Sequence, residues 1–357
     1  MINERLMQLN LPKLFKFDDG STVENVNDWE RRRDEIIDVI LKEEYGTIPP
    51  RPDNVFVKDM RRVHNDFAGK GEHLIYDLCF MTERGEFSFP VNVVKPKGNK
   101  KNPAVVHIAF RPDIPDKYYP AEEVLDLGLT VFTFCYQDVT TDDDFESGLA
   151  AMYDRNKWTW GKIGMWAFAA MRVCDLLCTF DYVDSNNIAV MGHSRLGKTA
   201  LLAGALDERF KYVISNNSGC SGAAISRGKE GERIKDICNR FGYWFCENYK
   251  KYMDNEEKMP FDQHFLLSLI CPRYLYVSSA IEDKWADPFN EFITLKEVDK
   301  VYCLHGIDGF ASEDSFPRSG DVFSEGRVGY HLREGTHYVS RYDWLRFAEF
   351  IKKGDRI

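Results

Sequence analysis

No stretch of the sequence approaches the roughly 20 consecutive apolar residues that a helical membrane span requires. The opening residues, MINERLMQLNLPKLF, lack the long uninterrupted apolar core of a secretory leader, so a cytoplasmic location is the expectation. A surplus of basic charge is missing too. Against 47 Lys and Arg stand 57 Asp and Glu, a formal net charge of −10. That balance argues against a general nucleic-acid or anionic-membrane surface, so any cationic function must be local. The nine cysteines include no Cys-x-x-Cys pair. Cys174 and Cys178 fall one helical turn apart and the others are scattered, which favours buried reduced thiols over zinc or disulfides. Internal repeats, low-complexity segments and long linkers are likewise lacking.

What is present is a chain of 357 residues, 44% hydrophobic, long enough for one large core or two modest ones. Asn27 or Asp28 suits the cap of a helix running to about Tyr45, where Trp29, Ile36, Ile37, Ile40 and Leu41 make an apolar stripe. YGTIPPRP ends it. Two strand-like runs, 73–81 and 86–94, flank the turn-rich TERG and predict a hairpin. From Pro103 onward strands alternate with helices. Apolar runs at 104–110 and 129–136 flank a short helix at 121–127, and a long helix is expected over 162–182. Further strands are expected at 212–215, 274–279 and 301–304, with a last helix at 342–352. Strands apolar on both faces, joined by crossover helices, imply a mostly parallel sheet covered on both sides. That is the α/β-hydrolase order, read as a single domain over 1–357 with residues 1–100 as an extension packed on it.

The stretch NIAVMGHSRLGKTALLAGA, residues 187–205, runs from a buried strand through a sharp turn into a helix. A serine delivered this way is a nucleophile elbow: the turn lifts the hydroxyl above the sheet edge, and the helix N-terminus points free N–H groups at developing negative charge. Gly192 and Gly197 supply the small residues that the crowded turn needs. A serine hydroxyl needs a histidine to take its proton and a carboxylate to orient that histidine, in the chain order serine, acid, histidine. Beyond Ser194 stand His264, His305, His331 and His337. His337, in a glycine-containing loop before the terminal helix, is the first choice and His331 its competitor, while His305 ends an expected strand. The loop SAIEDKWADP offers Glu282, Asp283 and Asp287. Asp283 comes soonest after the strand, Asp287 suits a helix cap before Pro288, and Glu282 faces the opposite way if the segment is extended.

Several separated motifs resemble one family. GHSRLGK resembles the nucleophile segment of the glucuronoyl esterases, carbohydrate esterase family 15, with the pattern Gly-x-Ser-Arg-x-Gly-Lys. MPFDQHFLLSLICPRYL, EDKWADP, GYHLREGTHYVSRYDW and YYPAEEVLDLGLTVFTFCYQD agree in order. The resemblance implies Ser194 as nucleophile, His337 as base and Arg195 as support for the oxyanion beside its own backbone N–H. It further implies that Lys198 reaches sugar hydroxyls and that Trp285 forms an apolar wall. Many members carry a glutamate where Asn217 stands here; others use the later aspartate, which matches Asp283. The expected activity is serine-type hydrolysis of a carbohydrate ester, glucuronoyl or 4-O-methyl-glucuronoyl, with no metal and no cofactor. Deacetylation of xylan-derived oligosaccharides is the related alternative. A scaffold that binds a uronate without turnover is the alternative of another class, kept open by Asn217. The partner is a small-molecule or oligosaccharide ester, not nucleic acid or membrane.

Other residues carry weaker signals. Asp262 suits a helix cap and His264 a buried carbonyl partner. Tyr243, Trp244 and Phe245 read as core, with Trp244 also a wall candidate. Arg111 either enters the pocket or braces its loop, and Asp142, Asp143 and Asp144 read as a solvated loop.

Overall fold

The chain's apolar runs are buried on alternate sides of one sheet. In the computed structural model, which describes residues 2–64, 66–98 and 100–354, ten strands of the described residues join that sheet. They are β1 (Val55–Val63), β2 (Gly71–Thr82), β3 (Gly85–Pro96), β4 (Asn102–Ala109), β5 (Thr130–Cys135), β6 (Val183–His193), β7 (Tyr212–Asn216), β8 (Tyr274–Ala280), β9 (Val322–Phe323) and β10 (Val328–Arg333). The order is β1-β2-β3-β5-β4-β6-β7-β8-β10-β9. From β5 to β10 neighbouring strands are parallel, while β1, β2, β3 and β9 add antiparallel edges. This is the α/β-hydrolase arrangement that the alternating pattern predicts.

Successive residues of a strand face opposite ways, so a strand buried on both sides must feed two core layers. Ala104, Val106 and Ile108 of β4, with Ile188 and Val190 of β6, enter one layer, and Val105, Ala189 and Met191 enter the other. The first layer is covered by the helices Val26–Ile40, Lys162–Leu177, Arg195–Leu206 and Pro288–Leu304. Helices Ala121–Asp126 and Arg341–Gly354 cover the second through Val124, Trp344, Phe347 and Ile351. Every residue of Lys162–Leu177 is buried, which explains its largely apolar sequence; its charged residues are partnered, Arg172 with Asp175 and Lys162 with the Thr140 hydroxyl. Trp29, Ile36 and Ile40 of the N-terminal helix share the first layer's core. The nine cysteines are all free thiols.

Several boundaries differ from the sequence expectation. The first long helix is capped by Asn25, whose side chain accepts from the Asp28 N–H, rather than by Asn27 or Asp28. Asp28 occupies the third helical position, where its carboxylate accepts from the Glu24 N–H and from the Asn25 side-chain amide. After Ile40 the helix widens through a π turn at Leu41–Tyr45 before Gly46. The long helix ends at Leu177, where Thr179 Oγ1 donates to the Leu176 carbonyl. Residues 301–304 are not a strand. They form the last turn of Pro288–Leu304, a helix begun by Pro288 and capped by Asp287, with His305 at its C-cap. Strands β1, β9 and β10 escape the apolar pattern. β1 is exposed along nearly its whole length, and β10 carries Gly329, His331 and Arg333 among its apolar residues.

Candidate active site

Strand β6 ends at His193, and Ser194 follows with φ 57° and ψ −128°, a strained conformation that begins the helix Arg195–Leu206 at once. The turn is possible because Gly192 has no side chain: a Cβ there would lie 2.0 Å from the Leu196 carbonyl oxygen. The Ser194 N–H is fixed on the Asn216 carbonyl of the neighbouring strand at 2.9 Å. Its hydroxyl therefore stands at the carboxyl edge of the parallel strands, where an α/β sheet offers its crevice.

The loop after β10 brings His337 to this hydroxyl. Its Nε2 is 2.8 Å from Ser194 Oγ, and its Nδ1 is 2.6 Å from Asp283 Oδ2. His337 is 43% exposed at its side chain while Asp283 is 3% exposed, so a ring open to the cleft is backed by a covered carboxylate. Asp283 lies in the loop after β8, where the sequence expectation puts it. Burial pushes its carboxyl pKa up, but the hydrogen bond and charge of His337, the Asn217 amide and the Ala286 N–H outweigh that and hold it below the ordinary aspartate value. Asn217, at φ 45°, donates its Nδ2 to the same Asp283 oxygen at 2.8 Å. The Asn217 amide thus braces the Asp283 carboxylate. The two rival acids have other partners: Asp287 Oδ1 accepts from the Asn290 N–H as a helix cap, and Glu282 accepts from the Gly335 N–H.

The competing histidines stand apart from the hydroxyl. His331 is fully buried between Tyr276 and Asp343, His264 Nε2 meets the Pro12 carbonyl at 2.9 Å, and His305 turns back on the Val301 carbonyl. Asp262 caps its helix by accepting from the Gln263 N–H.

Around Ser194 and His337 lies a cleft of about 150 Å³, with Arg195, Lys198, Asn217, Glu232, Trp244 and Trp285 among its lining residues. The Arg195 guanidinium is ion-paired with Asp142 and packs 4.5 Å from the centroid of the Trp244 ring. Asp142 also accepts from the Trp244 indole and the Tyr136 hydroxyl. The acidic run is therefore not wholly a solvated loop, because its first member anchors the arginine beside the serine. Trp244 is a wall, stacked on Phe241 at 4.0 Å. Trp285, 47% exposed, also lines the cleft and donates its indole N–H to Glu232. Lys198 lines the cleft from the first turn of the helix after Ser194. Its ammonium donates to the Ser218 and Cys220 carbonyls and lies 3.8 Å from the Glu232 carboxylate, so two of its three protons serve the protein. Burial draws its pKa below the ordinary lysine value. Arg111 braces its loop through Asp116 and the Tyr118 ring. Asp142, Glu232 and Phe241 were invisible as site residues in the sequence, because Glu232 and Phe241 reach the cleft, and Asp142 reaches Arg195 behind it, from segments distant from the serine.

Comparison with known proteins agrees with this geometry. Carbohydrate esterase MZ0003, from an unknown prokaryotic organism, is 41% identical over 236 residues, covering 64% of this chain and 54% of that protein. A 4-O-methyl-glucuronoyl methylesterase of Podospora anserina is 28% identical over 337 residues, covering 87% of this chain and 65% of that protein. The matches thus span between about half and two thirds of these relatives' length. Among solved structures, a promiscuous CE15 esterase from a marine bacterial metagenome superposes with a TM-score of 0.88 at 30% identity, covering 96% of each chain. The glucuronoyl esterase of Solibacter usitatus gives 0.86 at 31%, covering 96% of this chain and 97% of that one. The model of the fungal glucuronyl esterase family matches residues 80–306, well over half of the sequence, and the chain belongs to that family.

Proposed function

We propose that this protein is a serine-type carboxylic ester hydrolase acting on glucuronoyl esters of carbohydrates, including 4-O-methyl-glucuronoyl esters. The observation that carries the reading is the unbroken line from Ser194 Oγ through His337 to Asp283, at 2.8 and 2.6 Å, opening on a cleft with a cationic side. His337 Nε2 takes the Ser194 proton as the oxygen attacks the ester carbonyl, while Asp283 fixes the tautomer and steadies the imidazolium. The oxyanion meets the Arg195 backbone N–H, which as the first of its helix has no intrahelical acceptor, and the Arg195 guanidinium, held by Asp142, adds charge-assisted donors. His337 then returns the proton to the departing alcohol, leaving an acyl-enzyme on Ser194. Water, deprotonated by the same imidazole, attacks that ester carbonyl and frees the uronate and the serine.

The exposed face of Trp285 suits the C–H face of a pyranose, and Glu232 offers an acceptor beside it for a sugar hydroxyl. The names of the relatives point to the same class of substrate. Asn217 supports turnover rather than a binding scaffold, since its amide braces an acid supplied from elsewhere. The test is hydrolysis of benzyl glucuronate, acetylated xylo-oligosaccharides and para-nitrophenyl acetate, with Ser194→Ala as control. Turnover of the uronate ester that disappears in the variant is the expected result. Acetate release alone moves the substrate to acetyl esters, and inactivity on all three contradicts the esterase reading.

A further inference from the structure

The loop that presents His337 is closed at both ends by one buried carboxylate. Asp343, on the first turn of the terminal helix, has no exposed surface. Its Oδ2 accepts from the Ser340 N–H and hydroxyl, both at 2.6 Å, and from Arg333 Nε at 2.9 Å. Its Oδ1 accepts from His331 Nε2 at 2.8 Å and from the Asn216 amide at 3.2 Å. Arg333, 5% exposed, spends the rest of its guanidinium on the loop itself, donating to the carbonyls of Glu334, Thr336 and Tyr338. The residues on either side of His337 are therefore held by one fork. The network also reaches the nucleophile. Asn216, which donates to Asp343, accepts the Ser194 N–H on its backbone carbonyl and the His193 ring on its side chain at 2.6 Å. The His193 ring in turn packs against His337, with centroids 4.6 Å apart.

We propose that Asp343 and Arg333 are a positioning pair that sets the distance between His337 and Ser194, an inference that rests on the serine-esterase reading above. Neither residue is among those lining the cleft. Two carbonyls flanking the base and the backbone turn of the nucleophile converge on one ion pair, so a change in that pair moves both halves of the 2.8 Å contact. A displacement of that size acts on the chemical step more than on binding. The bland alternative is that Asp343 merely closes a capping box with Ser340, for which Ser-x-x-Asp is the sequence signature.

The experiment compares Asp343→Asn, Arg333→Lys and Ser340→Ala with the wild type on para-nitrophenyl acetate and benzyl glucuronate, with thermal midpoints in parallel. Loss of the carboxylate charge or of the guanidinium fork is expected to lower kcat about tenfold or more with KM within about threefold. Ser340→Ala, which removes a cap hydroxyl alone, is expected to lower the midpoint and leave kcat within about twofold. If Asp343→Asn does not fold, Arg333→Lys decides alone. Folded Asp343→Asn and Arg333→Lys proteins with kcat within about twofold of wild type, or with a loss confined to KM, overturn the proposal. A wild type silent on both esters contradicts the esterase reading itself, whereas an active wild type with unchanged variants contradicts only the positioning pair.

Discussion

Ser194 is an ordinary hydroxyl until an imidazole takes its proton, and the imidazole works only in one tautomer. Asp283→Asn keeps the shape but offers His337 Nδ1 an amide in place of a carboxylate, beside the amide already present at Asn217. The expected outcome is a fall in kcat of about 10²- to 10⁴-fold with the fold intact, read from steady-state kinetics and the thermal midpoint. Arg195 depends on a partner in the same way. Asp142 holds its guanidinium against the Trp244 ring, so Asp142→Ala is expected to lower kcat by about tenfold, and Arg195→Leu by about 10²-fold, on any ester the wild type hydrolyses. Equal rates in all three proteins would remove the arginine from the oxyanion site. That Ser194, His337 and Asp283 come together was legible in the sequence because each follows a recognisable strand or precedes a recognisable helix. Asp142 was not, since an acidic run reads the same whether it faces water or an arginine 53 positions away.

At the scale of elements, the elbow depends on a helix starting directly against the strand that feeds it. With a Cβ on Gly192 placed 2.0 Å from the Leu196 carbonyl, Gly192→Ala forces the helix off β6. The expected result is loss of folded protein, or a sharply lowered thermal midpoint together with loss of Ser194 labelling by a fluorophosphonate. A folded, fully labelled variant would contradict the packing described here. The central strands and their crossover helices were readable because burial on both faces writes apolar residues at consecutive positions. The same logic misled at 301–304, where a short apolar run belongs to the buried face of a 17-residue helix; only its capping aspartate and Pro288, 13 positions upstream, mark the difference. β1 failed for the opposite reason, having almost no buried face to imprint a pattern. β10 was hidden by His331 and Arg333, polar residues kept in a fully buried strand by Asp343.

For the molecule as a whole, buried titratable groups limit stability from both sides. Burial holds His107, His193 and His264 down to about 3, so as pH falls from the ordinary histidine value the unfolded chain takes up protons that the native one refuses, and stability is lost. Burial pushes Glu44 up to about 8 and Glu291 up to about 7, so the native state keeps protons that the unfolded chain has released, and stability is lost as pH rises. As pH rises past the ordinary histidine value of ~6.5 the histidine contribution fades, while burial that draws Lys162 down to about 8 opposes the carboxyls, so the contribution of Glu44 is read by difference from its own variant. Between pH ~6.5 and ~8, Glu44 alone is expected to cost about 2 kcal/mol, so the thermal midpoint of Glu44→Gln should decline less over that range than that of the wild type. Parallel declines would show that Glu44 ionises freely in the fold. Glu291 sits where stability and chemistry meet: its carboxyl accepts the Gly219 N–H of the cleft and the Ser279 hydroxyl of the strand leading to Asp283. The fold holds the Ser194 hydroxyl against the His337 ring, and an attempt to trap the covalent intermediate that the proposed mechanism requires tests the reading most directly. Wild type, Ser194→Ala and His337→Ala are each mixed with benzyl glucuronate, quenched in acid within the first turnover and digested for peptide mass spectrometry. The expected result is a glucuronoyl adduct on Ser194 in the wild type alone, with benzyl alcohol release lost in both variants; release that persists in folded Ser194→Ala would contradict it.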